Sequence, residues 1–369
     1  MNDRSRSKSV LVGVVALVGL SFGALVACPA NQEPDRRAEL LASLVEAQFI
    51  PTLGEASERG EALHTAATAL CSSPDAAHLD AAQDAWWQLR APWKRALAIP
   101  LGPIIDDGFD MAIDFWPLRP SSVEGGVAAG VSSQAELDAL GVASKGMPAV
   151  EYLLWDPLAG DEAVLAALTG ADGPARCAYL ELLTADVALR LAELDDAWRD
   201  DYATQLVGAG TSETYPDLAL AIDAIVNAMI AGLHDLDDMK LAKPLGLTSA
   251  SGADPELVES RISDRSLTDA RDALAGFEAA YLGTDDGGLG LTILVEQRNP
   301  DVDAKIRAEL EAAKLALAAV PEPLRLAISS DAAAVEQAQV AIKQVRISMT
   351  ADVASLLGVT VSLSDNDGD

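Results

Sequence analysis

Apolar residues recur along this chain at intervals of three and four, the period at which side chains stack on one face of an α-helix. Leu180, Leu183, Val187, Leu191, Leu194 and Trp198 draw one such stripe. Ile306, Leu310, Ala313, Leu317 and Val320 draw a second, and Val335, Ala338, Ile342, Val345, Met349, Val353 and Leu356 a third. The pattern predicts long helices over residues 35–70, interrupted at Pro51, and over 74–97, 173–207, 215–241, 267–282, 300–319 and 331–357. No segment alternates apolar and polar residues for long enough to make a sheet strand, and Val359-Thr360-Val361-Ser362-Leu363 is too short to build one. The expected fold is all-α.

Between residues 100 and 171 the rhythm breaks into short helical pieces separated by Leu101-Gly102-Pro103, Trp116-Pro117 and Gly125-Gly126. Irregular backbone carried on a rigid scaffold is where binding residues concentrate, so this insertion is the first place to look for function. The stretch 243–258, rich in Gly, Pro, Ser and Thr, reads as a linker between an N-terminal helical bundle at 28–242 and a C-terminal one at 259–369. Residues 79–86 (LDAAQDAW) resemble 267–274 (LTDARDAL), which suggests a diverged duplication of one bundle unit. All six tryptophans (86, 87, 93, 116, 155 and 198) lie in the first half, making it the expected ligand side.

The start of the chain carries a different signal. A basic stretch through Arg4, Arg6 and Lys8 precedes an apolar run from Val10 to Ala27 that ends Leu25-Val26-Ala27-Cys28. This has the form of a secretory signal, and its end resembles the bacterial lipobox, in which the cysteine becomes the acylated N-terminus. Residues 1–27 are therefore expected to be a lipoprotein signal peptide, with Cys28 lipidated and the protein anchored to a membrane facing the periplasm. Pro29 after the cysteine is not the aspartate that retains lipoproteins at the inner membrane in some bacteria, which points to the outer membrane. In that oxidising compartment Cys71 and Cys177 read as a disulfide pair, with two buried free thiols as the alternative. The 57 acidic against 26 basic residues give a net charge of −31, which repels phosphate backbones and argues against nucleic-acid binding.

Standard catalytic constellations are missing: the chain has no H-E-x-x-H, no G-x-S-x-G, no P-loop and no dinucleotide fingerprint. His64, His78 and His234 each stand alone in helical segments. Asp106, Asp110 and Asp114, spaced by four, would stack three carboxylates on one face of a continuous helix and offer oxygen ligands to a hard cation such as calcium, although an acid-rich chain produces such spacing by chance. Asp365-Asn366-Asp367-Gly368-Asp369 looks like the opening of a calcium loop without the later glutamate. The most informative segment is Gly146-Met147-Pro148-Ala149-Val150-Glu151-Tyr152-Leu153-Leu154-Trp155, a tight turn leading into a short apolar helix.

Here the chain resembles the imelysin family, whose hallmark is G-x-H-x-x-E followed by an apolar, aromatic-containing run. The resemblance continues through Trp86 to Trp93, Leu101-Gly102-Pro103, Phe115-Trp116-Pro117, Arg176-Cys177-Ala178-Tyr179, Ser263-Asp264-Arg265-Ser266-Leu267 and Leu357-Gly358-Val359. It implies a role connected with iron uptake, a ligand in the cleft between the bundles, and either a metal ion (iron or calcium), an iron-containing ligand or an envelope partner protein as what is bound. The family's metal-dependent peptidase reading is weakened because Pro148 stands at the motif histidine and has no lone pair to donate. A structural scaffold of the envelope is the third reading. Glu151 then has two roles open to it. It could meet the exposed N–H groups of its own helix's first turn, or face a cleft lined by Trp116, Tyr152 or Trp155 and bind a cation or polar ligand. Arg265 and Ser266, near that junction in the imelysin-like arrangement, are expected to bind an anion or Glu151, while Ser266 or Asp264 caps the following helix.

Overall fold

The computed structural model describes residues 34–250 and 252–362, so the expected signal peptide, Cys28 and the acidic tail at 365–369 lie outside the described residues. The first helix shows how the chain handles a proline. α1 (Arg37–Leu44) passes through a π-helical turn, Val45–Phe49, straight into α2 (Ile50–Ser72). A proline inside a helix cannot bond the carbonyl four residues back and its ring crowds that carbonyl. The widened turn just before Pro51 accommodates both effects, so the expected interruption is a bulge within one continuous rod.

α3 (Ala76–Leu97) follows a capped start, where the Asp75 carboxylate accepts the His78 N–H at 2.9 Å. Six short helices occupy the irregular region: α4 (Pro103–Asp106), α5 (Phe109–Asp114), α6 (Pro120–Ala129), α7 (Gln134–Asp138), α8 (Gly146–Leu154) and α9 (Asp161–Thr169). α10 (Gly173–Ala197) continues through a π turn into α11 (Ala203–Val207), and α12 (Leu218–His234) continues through another, Asp235–Ala242. The second half holds α13 (Ser266–Leu282), α14 (Thr292–Arg298), α15 (Pro300–Ala319), α16 (Leu324–Ser330), α17 (Ala332–Ser348) and α18 (Ala354–Leu357). Among the described residues the nearest thing to a strand is an isolated bridge between Gly283 and Leu289.

The three stripes read from the sequence are core: apart from the half-buried Leu356, every one of their residues is buried. α2 packs between α3 and α10, while α15 packs on α17. Residues from Asp35 onward form one compact unit, and a single apolar cluster runs through both halves from Leu40 to Ala354. Leu245 and Val258 of the expected linker are themselves buried in that cluster. α3 and α13, which carry the two similar segments, pack against each other across the middle. Cys71 in α2 and Cys177 in α10 are neighbours, the Cys71 Sγ lying 3.6 Å from the Cys177 carbonyl, and both stand as free thiols.

The close approach of α12 to the end of α3 depends on Gly232, where a Cβ would run into the Ala98 carbonyl. Alanine is the better helix former by about 1 kcal/mol, but here it would meet backbone, which cannot rotate away. Gly232→Ala is therefore expected to destabilise the protein by on the order of 1–3 kcal/mol in chemical denaturation. An unchanged or raised midpoint would contradict this packing.

Candidate functional site

Two cations sit where an amphipathic helix should be apolar. On α3, Arg90 and Lys94 fall on the same face as Trp86 and Trp93, and all four are buried. Arg90 Nη1 bonds Asp114 of α5 at 2.5 Å, and its Nη2 bonds Asp269 of α13 at 2.6 Å. Lys94 Nζ bridges Asp114 (2.9 Å) and Glu259 (2.7 Å), and Lys240, from the π turn after α12, reaches the same Glu259 oxygen at 3.2 Å. Arg265 pairs with Asp269 and, at 2.8 Å, with Asp272. Trp93 Nε1 and Ser260 Oγ complete the shells of Asp114 (3.0 Å) and Asp269 (2.5 Å). Arg90, Lys94, Lys240 and Arg265 thus balance Asp114, Glu259, Asp269 and Asp272.

Burial by itself would raise the carboxyls. For Glu259, Lys240, Lys94 and Arg90 overcome that and hold it far below the usual range; for Asp269, Arg90, Arg265 and Lys94 outweigh burial and lower it. Tryptophan faces add to the cations' surroundings: Arg90 lies 5.2 Å from the Trp86 ring, Arg265 5.2 Å from Trp87 and Lys240 4.6 Å from Trp116.

Glu151 stands next to this balanced network and is not part of its pairing. It is the sixth residue of α8, and its Oε1 accepts three hydrogen bonds from one segment across the seam: Ile262 N–H (3.1 Å), Ser263 N–H (2.8 Å) and Ser263 Oγ–H (2.7 Å). That segment is bent to receive it, since Ser260 (φ 47°) and Asp264 (φ 60°) on either side take left-handed backbone that non-glycine residues rarely adopt. Burial pushes the Glu151 carboxyl up to about 7, against the opposing pull of the Ser263 hydroxyl and N–H and the Arg90 charge. Gly146 fixes where α8 begins: its φ is +74°, and a Cβ there would sit 2.5 Å from the Ile113 carbonyl of α5. Pro148, in the first turn, needs no N–H partner.

The sequence-predicted residues separate into several environments. Pro148, Glu151 and Trp116 line one small cavity of about 20 Å³ with Trp86, Arg90 and Asp114, room for about one water. A second of about 20 Å³ lies on the far side of Lys94 and Glu259, with Ser266 in its wall. Tyr152 and Trp155 do not face Glu151; they open onto a larger cleft of about 250 Å³ on the other side of α8. Glu151 caps another segment and not its own helix. Arg265 bonds Asp269 and Asp272, not Glu151, and the Ser266 hydroxyl donates to the Glu259 carbonyl without capping α13. Asp264 pairs with Arg325 at 2.5 Å. Asp106 does not share a face with Asp110 and Asp114, because left-handed Gly108 separates α4 from α5. Of the three, Asp106 is exposed, Asp110 half-buried and Asp114 engaged by Arg90 and Lys94.

Among the described residues no group of three or more His, Cys, Asp or Glu is arranged to hold a metal ion. The carboxylates around Glu151 are each occupied by cations, so this donor set does not fit a resident metal. Sequence reasoning missed Arg90, Lys94, Lys240, Glu259, Ser263 and Asp269. The signal available was the pair of cations at i and i+4 on the tryptophan face of α3.

The family model for imelysin matches residues 50–350, and the chain belongs to the imelysin family. The iron-regulated protein A of Synechococcus elongatus is 26% identical over 333 residues, covering 86% of each chain. Two solved structures share the fold. One, described as an iron-regulated protein A precursor from Parabacteroides distasonis, has a TM-score of 0.77 at 20% identity and covers 89% of this chain and 96% of its own. The other, an imelysin-like protein from Psychrobacter arcticum, has a TM-score of 0.72 at 19% identity, with 88% and 96% covered.

A carboxyl raised in the folded state stabilises most when protonated. The Glu151 contribution is full below its ordinary value of 4.5 and declines as pH rises through about 7. Melting curves of wild type and Glu151→Gln across this window should show wild type losing on the order of 1–3 kcal/mol relative to the neutral variant between low and high pH. Parallel curves would mean that Glu151 does not titrate there.

Proposed function

We propose that this imelysin-family chain is a binding protein of the cell envelope that serves iron acquisition, taking an iron-containing ligand on the protein surface over the seam where α8 meets residues 256–264, since the cavity within the seam holds about one water. The observation that carries the reading is Glu151, buried on the motif helix and bonded across the seam to Ile262 and Ser263. Kinship with iron-regulated protein A supplies the link to iron. Among the described residues no donor set fits a bare ion, which favours a chelate over a free cation. A metal-dependent peptidase is the weaker reading, because Pro148 offers no lone pair at the motif position.

Calorimetry of the full chain with ferric citrate, followed by elemental analysis of the recovered protein, tests this. Iron should co-purify with wild type, and Glu151→Gln should bind at least about tenfold more weakly. No iron on wild type would overturn the reading and favour an envelope scaffold, which a stable protein partner in a pull-down would support.

The location belongs to the same proposal: Cys28 is acylated and tethers the chain to a membrane, the outer one by the residue that follows it. In an oxidising compartment Cys71 and Cys177 then close into a disulfide, stabilising the fold by roughly 4–5 kcal/mol on the chain-entropy estimate. Mass spectrometry of protein extracted from its host's envelope and alkylated without reductant reads both features. A lipid-modified Cys28 and no labelled thiol are expected; an unmodified Cys28 rules out the anchor, and two labelled thiols rule out the bridge.

A further inference from the structure

α8 divides two environments. Glu151 turns toward the ion network, whereas Tyr152 and Trp155 open onto a cleft of about 250 Å³ between α8, α9 and the loop that carries Arg261 and Ile262. The floor is apolar, from Leu153, Val164 and Ile262. One wall is the Trp155 indole, held edge-on against Trp86 with ring centroids 5.1 Å apart. Trp86 is anchored in turn by its Nε1–H to the Met147 carbonyl at 3.0 Å. An aromatic surface fixed in this way is a ready wall for a second ring.

Two guanidinium groups, Arg176 and Arg261, line the same cleft, in a chain whose acids outnumber its bases 57 to 26. Each has a partner, and each keeps capacity. Arg176 gives both Nη1 (3.0 Å) and Nη2 (2.6 Å) to one oxygen, Glu124 Oε1, which also accepts the Tyr152 hydroxyl at 2.9 Å. Arg261 gives Nη2 to the Glu256 carboxylate at 2.8 Å and Nε to the Glu256 carbonyl at 3.2 Å. The Glu256 side chain is 72% exposed, and an ion pair so open to water contributes little, so a ligand carboxylate can take its place at small cost. The cleft's own acid, Asp156, is committed to its turn by accepting the N–H groups of Leu158 and Ala159 at 2.9 Å each.

An apolar floor, a fixed indole wall and two guanidinium groups are the elements of a small-molecule site. They select for a flat apolar body carrying a carboxylate. We infer that this cleft binds a small aromatic carboxylate, its ring against Trp155 and its carboxylate on Arg261. The inference rests on the cleft alone and stands whether or not the protein handles iron. It also reaches the motif helix, because Ile262 floors the cleft with its side chain while its N–H bonds Glu151.

The test is calorimetric titration of the full chain in detergent, in metal-free buffer, with benzoate as the probe and benzamide as its uncharged counterpart. Wild type should bind benzoate saturably and benzamide at least about tenfold more weakly, the cost of losing a charge-assisted hydrogen bond. Arg261→Gln should lose about tenfold for benzoate and little for benzamide. Ala163→Phe, which fills the cleft from half-buried Ala163 on α9, should abolish both, with melting temperatures showing that each variant is folded. Failure of benzoate to saturate wild type, equal binding of the two probes, or wild-type affinity in both variants would overturn the inference.

Discussion

A guanidinium buried in the middle of an otherwise apolar helix face is the constraint around which this protein is built. Arg90 is 1% exposed, and an ion so placed is tolerable only if it is paired and its hydrogen bonds are filled. Its partners are far off in sequence: Asp114 on a short helix of the irregular region and Asp269 on a helix of the second half. Leaving either partner out would strand a charge at a cost of about 3–5 kcal/mol. The irregular region and the second half are therefore held against α3 by the same group, which ties the two halves into one compact unit.

The balance of that network explains the behaviour of its neighbour. With four cations already matched by four carboxylates, a fifth negative charge at Glu151 finds no counter-ion of its own, only the dipoles of Ile262, Ser263 and the Ser263 hydroxyl and the more distant charge of Arg90. Those dipoles offset part of the desolvation, and the carboxyl settles near neutrality. The segment that supplies them holds Ser260 and Asp264 in left-handed backbone, which costs on the order of 1–3 kcal/mol per residue and persists only where the surroundings over-determine it. A titratable group and a strained acceptor loop thus meet at one seam.

The helices were legible because packing of their stripes is periodic and local: the leucines of α10 and the valines of α17 fall where a 3.6-residue repeat puts them. Glu151 was legible through the motif around it, and Gly146 through a backbone need that only glycine meets cheaply. The network was not legible, because the partners of Arg90 and Lys94 lie between 20 and 179 residues away and nothing local marks Asp269 or Glu259 as destinations. The three aspartates misled for the opposite reason: their spacing is helical, but Gly108 interrupts the helix on which the inference depended. Tyr152 and Trp155 were expected to line a cleft with Glu151, yet Tyr152 is its immediate neighbour on α8 and faces another way, and Trp155, which a continued helix would bring to the Glu151 face, lies past the end of α8 in extended backbone.

The tryptophans give this architecture an optical signature. All six lie in the first half, and Trp86, Trp87 and Trp116 each face a cation of the buried network. Intrinsic fluorescence therefore reports on the seam and the helices around it, while circular dichroism counts helices on both sides. A loosening of the seam that left α15 and α17 intact would be bright in the first signal and almost invisible in the second.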